Sequence, residues 1–280
     1  LRTDIPQVPV IHDINFYHQP KKLPFWVSWF YNRYFPKFAK NAASLGTVSE
    51  YSKSDIVDAF NIAPEKITVC YNGSNPAYVP VSEEQKMLVK QKYSDGEDYF
   101  LFIGALNPRK NVPGLLKSYE LYRQSYQSSQ KLIIVGSAMH LTGEIEQTLS
   151  QMKYADDVIF AGRLDVADLH LVLASALALV YIPFFEGFGI PLVEAMYAGT
   201  AIISGNRTSL PEVVGDAALL CDPDDHQMVA KYMNDLSSNP ELRKSLIEKG
   251  FVQSKKFSWE KSGERLWQCL SSAINLSGNA

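Results

Sequence analysis

The sequence predicts an α/β fold built on a parallel sheet, and three observations carry that expectation. Short, uniformly apolar runs at 99–103, 132–135, 158–161, 177–181 and 201–204 have the length of strands. They lack the alternation of a half-exposed strand, so both faces must be covered. Helical segments at 111–125, 169–174, 224–236, 240–251 and 258–274 separate or follow these runs, which implies right-handed crossovers. Glycines close several strands, at Gly104, Gly136 and Gly162, at the carboxyl ends where open α/β sheets bind ligands.

The bulk numbers narrow the class. A chain of 280 residues, 46% hydrophobic and 20% charged, can bury one large core or two moderate ones. A formal net charge of −3 argues against a general nucleic-acid binder. The three cysteines, Cys70, Cys221 and Cys269, form no CxxC and suit a reducing compartment as plain core or surface thiols. No charged-then-apolar leader pattern opens the sequence, and its apolar runs are too short to span a bilayer, so a cytoplasmic protein is expected. The first residue is Leu1 and a motif arrives by His12; the expectation is a fragment lacking much of its first domain.

The N-terminal portion reads in order as follows. Val8, Val10 and Ile11 end a strand that carries His12 and Asp13 at its carboxyl edge; such a pair is a ligand-facing site or a hydrogen-bonded turn. The stretch 16–40 interleaves Phe16, Tyr17, Phe25, Trp26, Trp29, Phe30, Tyr31, Tyr34, Phe35 and Phe38 with Lys21, Lys22, Arg33, Lys37 and Lys40. It is either an interfacial surface for anionic lipid or a lipid-linked acceptor, or a helix whose aromatics pack inward. Helical spacing favours the second. A strand at 44–48 precedes Ser49, placed to cap a helix over 51–60, with Ser52 and Asp55 as an alternative capping pattern. A strand at 67–70 leads to the turn Tyr71-Asn72-Gly73, and Pro76 and Pro80 mark a stiff segment between domains.

The segment 181–200, YIPFFEGFGIPLVEAMYAGT, organises the rest. It leaves a buried strand, turns through Gly187 and Gly189, and enters a helix with Pro191 in its first turn. The amides of that helix start, near Ile190, form an anion site. Glu186 and Glu194 frame it. A diphosphate would repel them, so their expected role is to accept hydrogen bonds from neutral hydroxyls, unless they are only a surface Glu and a helix-start Glu. After the strand at 99–103, Gly104 permits close backbone approach and Arg109 and Lys110 supply paired cations at its carboxyl end. Arg163 and Leu164 follow Gly162 in a loop that is equally readable as an ordinary strand–helix connection. Ser209 is placed to cap a turn holding Pro211 and Glu212. No GxxxxGK[ST], GxGxxG, DxD, HExxH or Cys/His cluster occurs, so no metal site is assigned.

Glu186 and Glu194 with their surroundings resemble the E-x7-E signature of retaining GT-B glycosyltransferases, group 1 or family 4. The resemblance extends through SLPEVVGDAALLCDPDD (209–225), the GALNPRKN block at 104–111, a VSxxSK turn at 48–53 and the HD pair at His12. It implies two Rossmann-like domains: the remainder of an acceptor-side domain at 1–78, a nucleotide-sugar domain at 79–257, and a helix at 258–280 crossing back to the first. It implies catalytic roles for Glu186, His12, Arg109 and Lys110. Donor contacts would come from Gly104, Arg109, Lys110, Arg163, Leu164, Gly187, Phe188, Gly189, Ile190 and Glu194, with Phe188 either beside the diphosphate or sugar or only filling the loop. Hexose transfer without a metal or other cofactor is expected, from a GDP-mannose or UDP-glucose type donor to a glycan or lipid-linked acceptor. A mannosyltransferase-like enzyme of polysaccharide biosynthesis is one form of this. Partners would then be nucleotide sugar and acceptor, with no nucleic acid, and peripheral contact at the inner face of the membrane as an added possibility. A sugar-nucleotide epimerase or hydrolase, or a non-catalytic sensor, remain alternatives on the same scaffold. Tyr181 and Ile182 depart from the "PS" common in relatives.

Overall fold

The computed structural model describes residues 5–20, 23–137 and 143–278, with side chains to residue 274. The chain divides into two compact units. Residues 1–73, 186–189 and 257–280 form the first; residues 74–185 and 190–256 form the second.

In the first unit a short α1 (Asn15–His18) and α2 (Phe25–Asn41) precede β1 (Leu45–Thr47), α3 (Glu50–Phe60) and β2 (Ile67–Val69). β1 and β2 run parallel, with Leu45 opposite Ile67. The strand expected at 8–11 is reduced to one parallel bridge, Val10 to Gly46, with the Ile11 amide donating to the Gly46 carbonyl at 2.9 Å. Ile11, Ile14, Leu45, Ile56, Phe60 and Ile67 form the core. Ser49 caps α3 as expected, accepting from the Ser52 amide at 3.0 Å. The helix ends at Asn61, whose φ of 52° is the left-handed conformation that asparagine tolerates.

The expected inward packing of the aromatic stretch is corrected for half of α2. Tyr31 and Phe35 meet the buried Phe16 ring at 5.2 and 4.8 Å. Phe25 (71% exposed), Trp26 (74%) and Trp29 (50%) face away from the core, as do Phe30 and Phe38. The reason is azimuthal: a helix buries a stripe little over 100° wide, and α2 carries aromatics all round it. Arg33, Lys37 and Lys40 lie on the same helix, which holds no acidic residue. Lys21 and Lys22 lie outside the described residues.

The second unit opens with α4 (Glu83–Ser94), a helix the sequence reading passed over. It begins in a complete capping box formed by Ser82 and Gln85. Then follow β3 (Tyr99–Ile103), α5 (Val112–Tyr126), β4 (Lys131–Val135), α6 (Gly143–Ser150), β5 (Val158–Gly162) and α7 (Val166–Ser175). The second half holds β6 (Ala178–Tyr181), α8 (Ile190–Ala198), β7 (Ala201–Gly205), α9 (Leu210–Val214), β8 (Leu219–Cys221), α10 (His226–Ser238) and α11 (Pro240–Ser254). Six strands make one sheet in the order β5-β4-β3-β6-β7-β8, and every pairing is parallel. The parallel α/β architecture read from the apolar runs is therefore present; α6 and β8 were not anticipated. Ser209 stands at the start of α9, but its backbone is already αR and its side chain does not cap the helix. The serine is fully buried.

The last helix, α12 (Trp259–Gly278), belongs to the first unit and packs on β1 and β2.

Candidate active site

Strand order locates the site in the second unit. From β3 the chain steps outward through β4 to β5, then returns to β6 on the other side of β3 and continues to β8. The helical connections diverge at that reversal, which leaves a crevice beyond the carboxyl ends of β3 and β6. The loops that leave these two strands carry most of the residues singled out from sequence.

After β3, Gly104 adopts φ of 156° and donates its amide to the Val135 carbonyl at 2.9 Å. A short 3-10 turn, Pro108–Lys110, then presents the two cations. The Arg109 carbonyl accepts from the Phe184 amide at 2.9 Å, and its guanidinium donates to the Phe185 carbonyl at 3.4 Å. Lys110 is buried, at 9% exposure. Its ammonium donates to the Tyr181 hydroxyl and lies 5.0 Å from the centre of that ring. A buried ammonium needs such partners, because desolvation otherwise drives it neutral. Tyr181 thus gives Lys110 a hydroxyl and a ring face as partners. Asn111, with φ of 55°, sends its amide nitrogen to the carbonyls of Ile182 (3.2 Å) and Pro223 (3.0 Å). The loops after β3, β6 and β8 are thereby stitched together through one side chain.

Gly189 takes φ of 98°, a left-handed turn open to glycine, and α8 starts at the next residue. The first amides of α8 have no intrahelical acceptors. Glu194 lies inside α8, where the Tyr78 hydroxyl donates to its carboxylate. Burial pushes the Glu194 carboxyl up to about 7, and the Tyr78 hydrogen bond opposes that rise without cancelling it. Tyr78 is itself buried at 3% exposure and rests against the edge of His170 at 5.8 Å between ring centres. Beyond β5, Gly162 has φ of 69°, Arg163 is exposed and Leu164 half-buried. Asp165 caps α7 through the Asp168 amide at 2.8 Å.

Glu186, Gly187, Phe188 and Gly189 group with the first unit. Glu186 is buried, at 7% exposure. A Cβ on Gly187 would lie 2.5 Å from the His12 carbonyl oxygen, so no other residue fits without moving backbone. The Gly187 carbonyl accepts from the Ser49 hydroxyl at 2.7 Å and from Ser52 at 3.1 Å. The Phe188 ring is packed between Tyr71 (6.1 Å) and Phe257 (5.5 Å), which fills the loop and leaves only its main chain for a ligand. His12 is exposed, while Asp13 accepts from the Asn15 amide at 2.9 Å; the pair is a capped turn with an open imidazole. Ser49 and Ser52, to which the sequence assigned no chemistry, and Tyr78, Asn111 and Tyr181 are the site residues that sequence reasoning missed. Among the described residues, no three His, Cys, Asp or Glu side chains cluster as a metal site would, and no helix is long and apolar enough to cross a membrane.

Comparisons with known proteins give the same picture. The family model "Glycosyl transferases group 1" matches residues 82–253, and "Glycosyltransferase Family 4" matches residues 1–78. O-antigen chain mannosyltransferase B of Escherichia coli is 31% identical over 269 residues, covering 96% of this chain and 69% of its own. O-antigen chain mannosyltransferase RfbU of Salmonella typhimurium is 29% identical over 236 residues, 84% of this chain and 62% of its own length. Among solved structures, Anabaena HepE in complex with UDP and glucose superposes with a TM-score of 0.80 at 20% identity, over 95% of this chain and 72% of that one. The two family matches, together with a relative aligned over nearly the whole sequence, assign this chain to the group 1 glycosyl transferases with a GT-B type fold.

Proposed function

We propose that the protein transfers a hexose from a nucleotide-diphosphate sugar to a glycan or lipid-linked acceptor, with retention of configuration. The observation that carries this reading is Lys110, a buried ammonium seated on Tyr181 at the switch point of the second sheet. A buried cation at such a crevice fits an anionic group that enters from solvent. Arg109 and the amides of Gly189 and Ile190 add donors for a diphosphate. Glu194 takes the ribose hydroxyls, Gly104 allows the phosphates close to the backbone, and the loop at Arg163 and Leu164 receives the base. Glu186 and His12, both of the first unit, serve the hexose, Glu186 by accepting from its hydroxyls.

In the reaction the bond from the anomeric carbon to the phosphate oxygen breaks, and the electron pair leaves with the diphosphate. Lys110, Arg109 and the start of α8 stabilise that charge where it develops. The acceptor oxygen bonds to the same face of the anomeric carbon, and its proton passes to the departing phosphate oxygen. Charge balance on the leaving group is met by side chains and amides, so the scheme needs no metal. The names of the relatives favour mannose, hence a GDP-mannose donor, with UDP-glucose second.

Incubation with each donor and a polyprenyl-linked glycan should give lengthened glycan with release of one nucleoside diphosphate per hexose. Free hexose or an isomerised donor, with no lengthened glycan, would replace transfer by hydrolysis or epimerisation. Failure to bind either donor would remove the reading altogether.

The acceptor side extends to the membrane surface through α2. Its exposed Phe25, Trp26 and Trp29 accompany Arg33, Lys37 and Lys40 with no acidic residue, in a chain of net charge −3. Aromatics suit the headgroup boundary and the cations suit anionic lipid. In co-sedimentation the protein should bind phosphatidylglycerol vesicles and lose about tenfold in affinity when Trp26 and Trp29 are replaced by serine. Equal binding to phosphatidylcholine vesicles, or no loss in the variant, would exclude this contact.

A further inference from the structure

Three hydroxyl and carbonyl groups of the first unit converge on one peptide of the loop that bears Glu186. The Ser49 hydroxyl donates to the Gly187 carbonyl at 2.7 Å while its oxygen accepts from the Ser52 amide at 3.0 Å. The single proton of the Ser52 hydroxyl is shared between the Gly187 carbonyl and the His12 carbonyl, each at 3.1 Å. A carbonyl oxygen has two lone pairs, and two donors occupy both here. Both serines are buried, at 0% and 2% exposure, so water does not compete for those bonds. From behind, the His12 carbonyl fits so closely that Gly187 can carry no side chain. The Gly187 carbonyl is therefore held in a single direction. Because the peptide is planar and trans, the amide of Phe188 must point the opposite way.

We propose that Ser49 and Ser52 are positioning residues: through the Gly187 carbonyl they fix the peptide plane of the loop 186–189, and so the direction of the Phe188 amide and the placement of Glu186 against the hexose. The inference deepens the proposed transfer and rests on it. It also gives the VSxxSK turn a task in the reaction beyond starting α3. Of this loop only the Gly189 amide is given to the diphosphate; Glu186 would locate the hexose, since Glu194, Lys110 and Arg109 all belong to the other unit. Misplacing a reacting group by about 1 Å can lower turnover by about a hundredfold.

The test is the double variant Ser49→Gly, Ser52→Ala in the full chain. Glycine is accepted at a helix N-cap and alanine is favourable within the first turn, so the fold should be kept, with a melt lowered by what the Gly187 and His12 carbonyls lose with their donors. The expected result is a fall in kcat of about tenfold, with the Kd for nucleoside diphosphate unchanged. Returning one hydroxyl as Ser49→Thr, Ser52→Ala should recover part of the loss. Amide hydrogens of the peptide covering 186–189 should exchange faster in the double variant, a readout that needs no turnover. Wild-type kcat and wild-type exchange in the double variant would overturn the proposal while leaving hexose transfer standing. A wild-type chain that binds no nucleoside diphosphate would instead remove the parent reading.

Discussion

Lys110→Met should lower hexose transfer by about a thousandfold while leaving the protein as stable as before, or slightly more so. The two halves of this expectation have one cause. Lys110 is buried, and its ammonium donates to the Tyr181 hydroxyl and lies over that ring. For the unliganded protein such a charge is a cost, and a methionine of similar length keeps the packing without it. For a departing diphosphate the same charge is worth most, because a low local dielectric strengthens it and no reorganisation is needed. Lys110→Arg should not rescue turnover. A guanidinium is a planar fork, and the place beside Tyr181 is shaped for a compact ammonium. Steady-state kinetics with saturating acceptor, beside a thermal melt, separates the two halves. Turnover within tenfold of wild type, or a melt lowered by several degrees, would show that Lys110 supports the fold and not the phosphate.

How far the sequence could be read follows the range of the forces involved. The central strands were legible because burial on both faces leaves a local mark, an unbroken apolar run such as 99–103. The crevice residues Gly104, Arg109, Lys110 and Gly189 were legible because they sit next to strand ends and helix starts, where the chain itself dictates the geometry. α4 has its signal in Ser82 and Gln85, a capping box that directly follows the linker-like Pro76 and Pro80. β8 is only three residues long and half-covered, so neither length nor periodicity marks it. The partners of Tyr78, Tyr181 and the two serines could not be read. Each acts on a partner far away in sequence: Tyr78 on Glu194, Tyr181 on Lys110, and Ser49 on a carbonyl 138 positions distant. The α2 aromatics failed differently. Their spacing is helical, but spacing says which residues share a face, not how many faces the surroundings can cover.

Nucleotide-sugar affinity should rise with pH up to about 7 and then level off, and Glu194→Gln should abolish that dependence. Burial pushes the Glu194 carboxyl up to about 7. In the unliganded protein a fold that raises a carboxyl above its ordinary value of 4.5 binds an extra proton. Glu194 therefore contributes stability that is fully present below about pH 4.5 and is lost as pH rises through about 7, an amount of about 3 kcal/mol. Ligand binding runs the other way. Ribose hydroxyls donate to a carboxylate better than to a carboxylic acid, and the carboxylate keeps acceptor sites free beside the one used by Tyr78. Binding must then expel the proton, so affinity should fall by up to about tenfold per pH unit below about 7. The donor sugar nucleotide is the proper ligand, since its phosphates carry no proton that titrates in this range, whereas the terminal phosphate of a nucleoside diphosphate does. Calorimetry at about pH 6 and about pH 8, in buffers of different ionisation heat, would count the proton released. Glu194→Ala should weaken binding by at least about a hundredfold at the higher pH, the worth of two hydrogen bonds to a charged acceptor. An affinity flat from about pH 6 to about 8 in the wild type would mean that the ribose binds elsewhere and that Glu194 serves only as a partner for Tyr78.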